Sequence, residues 1–190
     1  MGNFFAMLSR MKYIDRWGLM RSTQKENIAE HSLQVAMIAH ALALIRVRRF
    51  GGVCDPERAA LMGMYHDATE IITGDLPTPV KYHSPEIRRA YGEVEALAAD
   101  RLLSMLPEDL RADYAPLLNE DDETLRPLIK AADKLSAVAK CIEERKTGNR
   151  EFVSAEATLR QAVADMHLPE ADVFMEEFLP AFEKTLDEYE

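Results

Sequence analysis

The sequence predicts an all-α protein built as a compact helical bundle, and three observations carry that expectation. Only 8 glycines and 9 prolines punctuate 190 residues. Between them, apolar residues recur three and four apart rather than in alternation, which is the period of a helix face and not of a half-buried strand. A strong start signal also occurs twice, as Asp55-Pro56-Glu57 and Ser84-Pro85-Glu86. Each places a capping side chain directly before a proline suited to the first helical turn.

Taken in order, the first helix is expected near residues 3 to 14 and the second, the most apolar, near 29 to 48. Asp55 and Pro56 open a third, and Gly74 is suited to end it, which frames 56 to 73. Thr73-Gly74-Asp75-Leu76-Pro77-Thr78-Pro79-Val80-Lys81 then reads as a stiff, non-helical loop, because each proline fixes its own φ and biases the residue before it toward extended backbone. Such a loop holds side chains in place without burying them in packing, a setting that often carries function. A fourth helix runs from Pro85 toward Met105, a fifth from about Leu125 to Gly148-Asn149, and the last two lie near 151 to 166 and 170 to 188. The acidic run Glu120-Asp121-Asp122-Glu123 reads as a solvated loop. Phe174, Phe178, Phe182 and Leu186, four apart, read as a packing stripe on the final helix.

A chain of this length is expected to form one domain, residues 1 to 190, and its 47% hydrophobic residues suffice for a core. With 29% charged residues and a mean hydropathy of -0.24, the composition is that of a soluble globular protein. Lys and Arg number 23 against 33 Asp and Glu, a formal net charge of -10. That charge repels phosphate backbones and anionic bilayers, so neither a nucleic-acid polymer nor a membrane is expected as a partner. Cys54 and Cys141 lack CxxC spacing, which disfavours a disulfide framework or a cysteine zinc site and suits a reduced cytoplasm. No signal peptide is expected from the first ten residues. The longest apolar run, around Val35 to Ile45, is interrupted by His40 and is shorter than the roughly 20 residues needed to span a bilayer.

Candidate chemistry gathers at four residues. On an ideal helix, His66, Asp67 and Glu70 share an arc of about 100°, while Leu61, Met64, Ala68, Ile71 and Ile72 cluster elsewhere. That titratable face points either to water or into a site, and the helix alone does not decide. His31 opens the most apolar helix, and Asp133 interrupts the apolar run from Leu128 to Leu135. An ionised aspartate in such company is costly unless paired, with Lys130, Lys134 or a cation brought from elsewhere. His31, His66, Asp67 and Asp133 come from three helices that a bundle can bring together. Two imidazoles and two carboxylates suit a divalent transition ion such as Mn²⁺, Co²⁺, Fe²⁺, Ni²⁺ or Zn²⁺. His40, about 180° round its helix from His31, is assigned to packing.

The order His31, His66-Asp67, Asp133 resembles the H…HD…D signature of the HD-domain metal phosphohydrolases. More narrowly, Arg16-Trp17, Glu30-His31-Ser32-Leu33-Gln34-Val35-Ala36, Tyr65-His66-Asp67-Ala68-Thr69-Glu70, the loop from Thr73 to Lys81 and Ala132-Asp133 are similar to the bacterial 5′-deoxynucleotidases of that superfamily, over about Phe4 to Ala139. The resemblance implies a homodimeric, HD-type helical enzyme that removes the 5′-phosphate from deoxyribonucleoside 5′-monophosphates. It implies one divalent ion, Co²⁺, Mn²⁺ or similar, on His31, His66, Asp67 and Asp133, with the site inside about residues 16 to 133. The C-terminal helices, 151 to 190, are left for packing or dimer contact.

Within that resemblance, Glu70 and Asp75 are the acid/base candidates, and which of them is the base stays open. Arg16 is the candidate phosphate clamp, with Lys81 or Arg21 as helpers and Thr78 on the same loop as a further substrate contact. Trp17 walls the sugar or base side, leaving a 2′-hydroxyl no room or no partner. Rival readings are an HD-type hydrolase of triphosphates, cyclic nucleotides or a guanosine alarmone, and a non-catalytic helical binding protein. The short supply of cations in the motif segments favours a monophosphate, and no ligand position is missing.

Overall fold

The computed structural model describes residues 2–81 and 83–189. The chain opens on a short helix, α1 (Phe4–Leu8), which passes into a 3-10 turn (Ser9–Tyr13) and buries Phe4. A long excursion follows, and its neck is closed by an antiparallel bridge between Asp15 and Asn27. Asn27 then caps α2 (Ile28–Phe50): its side chain accepts from the Ala29 and Glu30 amides while Glu30 reaches back to the Asn27 amide. Gly51, at φ 66°, ends α2 in the left-handed conformation that glycine enters without strain.

At 23 residues α2 is longer than the apolar run within it suggests, and by length and composition it could cross a bilayer. Its packing assigns it otherwise, because 56% of that apolar window is buried inside the protein. Val35, Ile38, Ala39 and Leu42 face the neighbouring helices and form the middle of the core.

Asp55 and Pro56 start α3 as expected, with the Asp55 carboxylate accepting from the Arg58 amide, but the single helix expected over 56 to 73 is broken. α3 (Pro56–Tyr65) stops one residue before His66, and a separate short helix, α4 (Glu70–Thr73), follows. Between them the backbone tightens to bonds reaching back three residues, Ala68 to Tyr65 and Glu70 to Asp67, each at 3.0 Å. The overwinding turns His66, Asp67 and Glu70 inward, so the titratable face does not point to water. The proline loop also departs from expectation. It is non-helical only from Gly74 to Pro77 and then makes a helical turn, α5 (Thr78–Lys81).

Ser84 caps α6 (Pro85–Ser104) through the Ile87 amide, as the start signal predicts. The next helix, α7 (Glu108–Leu118), is one the spacing does not announce, since Pro107 precedes it and Pro116 lies inside its last turn. Tertiary packing holds it: Tyr114 stands edge-on to Phe4 and Tyr65, with ring centres 5.1 and 5.8 Å away. α8 (Arg126–Lys146) and α9 (Phe152–Ala164) match their expected spans. α10 (Pro169–Glu177) is much shorter than the expected 170 to 188. It gives way to 3-10 segments at Leu179–Glu183 and Leu186–Glu188, because Pro180 supplies no amide to continue the ladder. The phenylalanine stripe therefore fails as a continuous core seam: Phe174 is buried, but Phe178 and Leu186 are exposed.

α2, α3 and α8 form the central layer. Met62, Leu128, Leu135, Val35 and Leu42 are fully buried there, each contributing about 1.5–3 kcal/mol by leaving water. A second cluster joins α1, the α3–α4 turn, α6 and α7 through Phe4, Ala68, Leu102, Leu106 and Leu118. One glycine is required by contact rather than by conformation. A Cβ at Gly63 would stand 2.9 Å from the Ala36 Cα, so α3 approaches α2 at a distance only glycine allows. That approach brings the end of α3 against the start of α2, where His31 lies.

Candidate active site

Each imidazole of the cluster has one nitrogen committed to the scaffold and one turned inward. Ser136 Oγ donates to Gln34 Oε1 at 2.6 Å, so toward His31 it accepts, at 3.1 Å from Nδ1. The proton therefore sits on His31 Nδ1, and Nε2 presents its lone pair 3.1 Å from Asp133 Oδ1. His66 Nδ1 donates to the Gly63 carbonyl at 2.8 Å, which can only accept. Its Nε2 is buried without a hydrogen-bond partner among the described residues, 3.1 Å from Asp67 Oδ2. The inward atoms of His31, His66 and Asp133 lie within 4.8 Å of one another, and Asp67 Oδ2 is 3.7 Å from His31 Nε2.

The electrostatics describe a site short of positive charge. Burial and the nearby Arg16 guanidinium hold the His31 imidazole below its ordinary range. Burial acts the same way on His66, but the Asp67 carboxylate overrides it and pushes His66 up to about 9. Asp133 is held well below the usual carboxylate range: burial opposes this, and the His31 contact and Arg16 win. Burial, with Asp67 and Asp75 beside it, pushes the Glu70 carboxyl up to about 9, and burial also raises Asp75. A second cation among these carboxylates would counter the upward shifts of His66, Glu70 and Asp75. The donor set, two imidazole nitrogens and two carboxylates with a tautomer-fixing partner behind each ring, fits a divalent transition ion.

Arg16 reaches the cluster from the excursion after α1, with Nη1 3.4 Å from Asp67 Oδ2 and Nε 3.4 Å from Glu26. Trp17 follows at φ 61°, a left-handed backbone that costs a bulky residue of order 1–3 kcal/mol and marks a site held by its surroundings. Its ring packs on Phe152 at 5.2 Å, and its Nε1 donates to Glu26 Oε2 at 2.7 Å. Of the four buried side-chain polar atoms without a hydrogen-bond partner among the described residues, three belong here: Arg16 Nε, His66 Nε2 and Glu70 Oε2. Orphaned polar atoms are rare in folded proteins, and their concentration at one point marks a place built to receive a polar ligand.

The fold thus brings His31, His66, Asp67, Asp133, Arg16, Glu70 and Asp75 together, with Trp17 at the edge. Other predicted residues stand elsewhere. Lys81 Nζ lies 2.8 Å from Glu95 and 4.7 Å from the Tyr91 ring centre, bound toward α6. Thr78 is exposed on α5, and Arg21 points outward to Glu151. Two contributors were not singled out in the sequence. Glu26 touches Arg16, Trp17 and His31, and the only signal for it is that it sits just before the cap of α2. Glu120 belongs to the acidic run expected to be solvated. It takes φ 48° instead, and burial raises its carboxyl while His66, Asp67 and Asp133 lie within electrostatic reach. Its neighbour Asp122 spends its charge capping the approach to α8 through the Thr124 and Leu125 amides.

The family described as 5′-deoxynucleotidase YfbR-like matches residues 3–182. A 5′-deoxynucleotidase of Photorhabdus laumondii is 53% identical over 190 residues, spanning 99% of this chain and 96% of that protein. One from Erwinia tasmaniensis is 53% identical over 188 residues, spanning 98% and 95%. Among solved structures, an HD-domain phosphohydrolase of Listeria innocua superposes with a TM-score of 0.81 at 24% identity, over 95% of this chain and 88% of that one. A cyanophage S-2L HD phosphohydrolase, bound to dA and one catalytic Zn²⁺, gives 0.68 at 21% identity, over 95% and 96%. With every residue of the cluster inside the matched span, the chain belongs to the 5′-deoxynucleotidase YfbR-like family and carries the all-α fold of the HD-domain phosphohydrolases.

Proposed function

We propose that this protein removes the 5′-phosphate from deoxyribonucleoside 5′-monophosphates, yielding the deoxyribonucleoside and phosphate, with one divalent transition ion held by His31, His66, Asp67 and Asp133. The observation that carries the reading is the pair of buried imidazoles, each with Nδ1 committed and Nε2 turned toward aspartate, beside a buried arginine. When bound, the ion supplies Lewis-acid attraction for a phosphoryl oxygen and acidifies water.

The remaining work falls to the protein's own groups. Arg16, kept charged in spite of burial by Asp133, Asp67, Glu26 and Asp75, offers its guanidinium fork to the phosphate. Glu70 accepts the proton of the attacking water, since its buried carboxyl has an oxygen, Oε2, with no hydrogen-bond partner among the described residues and lies within electrostatic reach of Asp67 and His66. Asp75 serves the leaving 5′-oxygen, because it faces Arg16 and the Trp17 amide, the pair that meets the substrate. Trp17 closes the sugar side. Thr78 and Lys81 act from the outer end of the loop, Lys81 by tying it to α6 through Glu95. A homodimer in the cytoplasm completes the proposal.

The test is phosphate release from a panel of deoxyribo- and ribonucleoside mono-, di- and triphosphates, before and after chelation and with Mn²⁺, Co²⁺ or Zn²⁺ restored. Metal-dependent release confined to deoxynucleoside monophosphates is expected. Full turnover by rigorously metal-free protein, or a preference for triphosphates, overturns the reading.

A further inference from the structure

The excursion that carries Arg16 and Trp17 is closed at its neck by backbone pairing. The Arg16 amide donates to the Glu26 carbonyl at 2.9 Å, and the Ile28 amide to the Ile14 carbonyl at 3.0 Å. The pairing sets residue 26 beside residue 16, one position before the Asn27 cap that fixes the register of α2 and hence of His31. Farther out, Thr23 and Gln24 are pinned to α8 through Glu144.

From that neck the Glu26 side chain, only 11% exposed, divides its two oxygens. Oε2 accepts from Trp17 Nε1 at 2.7 Å and lies 3.4 Å from Arg16 Nε, while Oε1 stands 3.8 Å from His31 Nδ1. Trp17 needs such a hold, because its backbone is in a conformation that a bulky residue leaves unless other contacts keep it there. Phe152 supplies a ring contact, but a ring contact leaves the indole free to slide. The hydrogen bond from Nε1 fixes its rotation.

We infer that Glu26 is the positioning residue of the substrate wall: its carboxylate locks the Trp17 indole in place and so sets how strongly the enzyme distinguishes a deoxyribose from a ribose. The inference rests on the proposed role of Trp17 at the sugar. It deepens that role by naming the group that makes the wall rigid.

Trp17 is the protein's single tryptophan, so intrinsic fluorescence reports this side chain alone. Glu26→Ala removes the acceptor, whereas Glu26→Gln keeps an amide oxygen that can accept from Nε1. In the metal-loaded enzyme, Glu26→Ala should make Trp17 more accessible to acrylamide quenching and narrow the dAMP to AMP ratio of kcat/KM by about five-fold or more, the effect of one lost hydrogen bond. Glu26→Gln should restore both to within about two-fold of wild type. The ratio compares two substrates on one sample, so it does not move if a variant is merely less stable. Trp17→Phe, which keeps a ring but no N–H donor, should narrow the ratio as Glu26→Ala does, and the double variant should narrow it no further.

Unchanged quenching in Glu26→Ala overturns the inference. So does a preserved substrate ratio in Glu26→Ala when Trp17→Ala loses it, and so does a Glu26→Gln variant that behaves like Glu26→Ala. Failure of the underlying reading looks different: wild type and Trp17→Ala would then treat dAMP and AMP alike, while the quenching comparison still judges the hold on Trp17.

Discussion

Two buried clusters of charge sit on one helix, α8, about three turns apart, and they are satisfied to opposite degrees. At one end Asp133 and Ser136 face His31, and around them His66 Nε2, Glu70 Oε2 and Arg16 Nε are buried with no hydrogen bond among the described residues. At the other end Glu144, 1% exposed, accepts from the Thr23 amide and hydroxyl, the Gln24 amide, Lys140 and Asn149, at 2.7 to 3.2 Å. Lys140 in turn donates to the Gln24 carbonyl at 2.7 Å. A carboxylate with all its acceptor sites filled by the chain has nothing left for a ligand and serves as a rivet. A cluster of similar burial left incomplete is costly to fold unless something else completes it. The difference teaches where to look for chemistry: not at the most charged surface, but at the buried charges the fold does not finish satisfying.

The comparison is broken most severely at the unfinished end. Asp133→Ala should leave protein without bound metal and lower phosphate release by about 1000-fold or more, since the ion supplies several kcal/mol to the transition state. Metal content and release rate, measured on the same sample, check it. A normal rate with stoichiometric metal would remove Asp133 from the ligand set.

The rivet should fail differently. Glu144→Ala strands the Lys140 ammonium and two backbone amides, a loss of about 3–5 kcal/mol of stability. In a chain of this size that is a fall in Tm of roughly 6–20 °C, while the folded fraction keeps its metal. The pH dependence carries a definite sign. Although burial opposes ionisation, Lys140 and the Thr23 amide hold Glu144 well below the usual carboxylate range in the folded protein. Its contribution is therefore present above the ordinary glutamate pKa and is lost as pH falls below about 4.5 toward the folded value. Denaturation curves between pH 6 and pH 3 should be flatter for Glu144→Gln than for wild type, and parallel curves would show that the clamp does not titrate.

Smaller effects sharpen the division inside the site. Glu70→Ala should retain metal and bind nucleotide while turning over about 100-fold more slowly, the low end for loss of a general acid or base. Unchanged turnover would pass the proton role to Asp75. Least of all, Trp17→Ala should retain metal and narrow a dAMP over AMP preference that is about 5-fold to 150-fold in wild type, the cost of burying one unpaired hydroxyl. Equal kcat/KM values on the wild type would make the enzyme a general nucleotidase.

The all-α class, the caps at Asp55 and Ser84 and the spans of α8 and α9 were legible because each follows from local rules: a capping side chain, a proline in the first turn, a helical period. The meeting of His31, His66, Asp67 and Asp133 was legible for a related reason, since titratable residues in apolar surroundings need partners. What escaped was nonlocal. α7 carries prolines that argue against a helix, and only contact of Tyr114 with Phe4 and Tyr65 holds it. The break after Tyr65 has no proline to announce it, and Gly63 answers to the close approach of α2; the His66 bond to the Gly63 carbonyl accompanies the break. Glu26 and Glu120 look like any exposed glutamate until a backbone neck and a left-handed turn aim them inward.

By itself, then, the sequence determined the all-α class, the helix starts marked by a capping side chain and a proline, and which residue types are available to hold an ion and a phosphate, because propensity, capping and composition act within a few residues. The tertiary structure decided which nitrogen of His31 turns inward, and which carboxylates are finished and which are left open. Those depend on groups more than 100 residues apart, such as His31 with Ser136 and Thr23 with Glu144, meeting at hydrogen-bond distance. No local rule reaches that far, because such contacts exist only after the core has brought α2, α3 and α8 together.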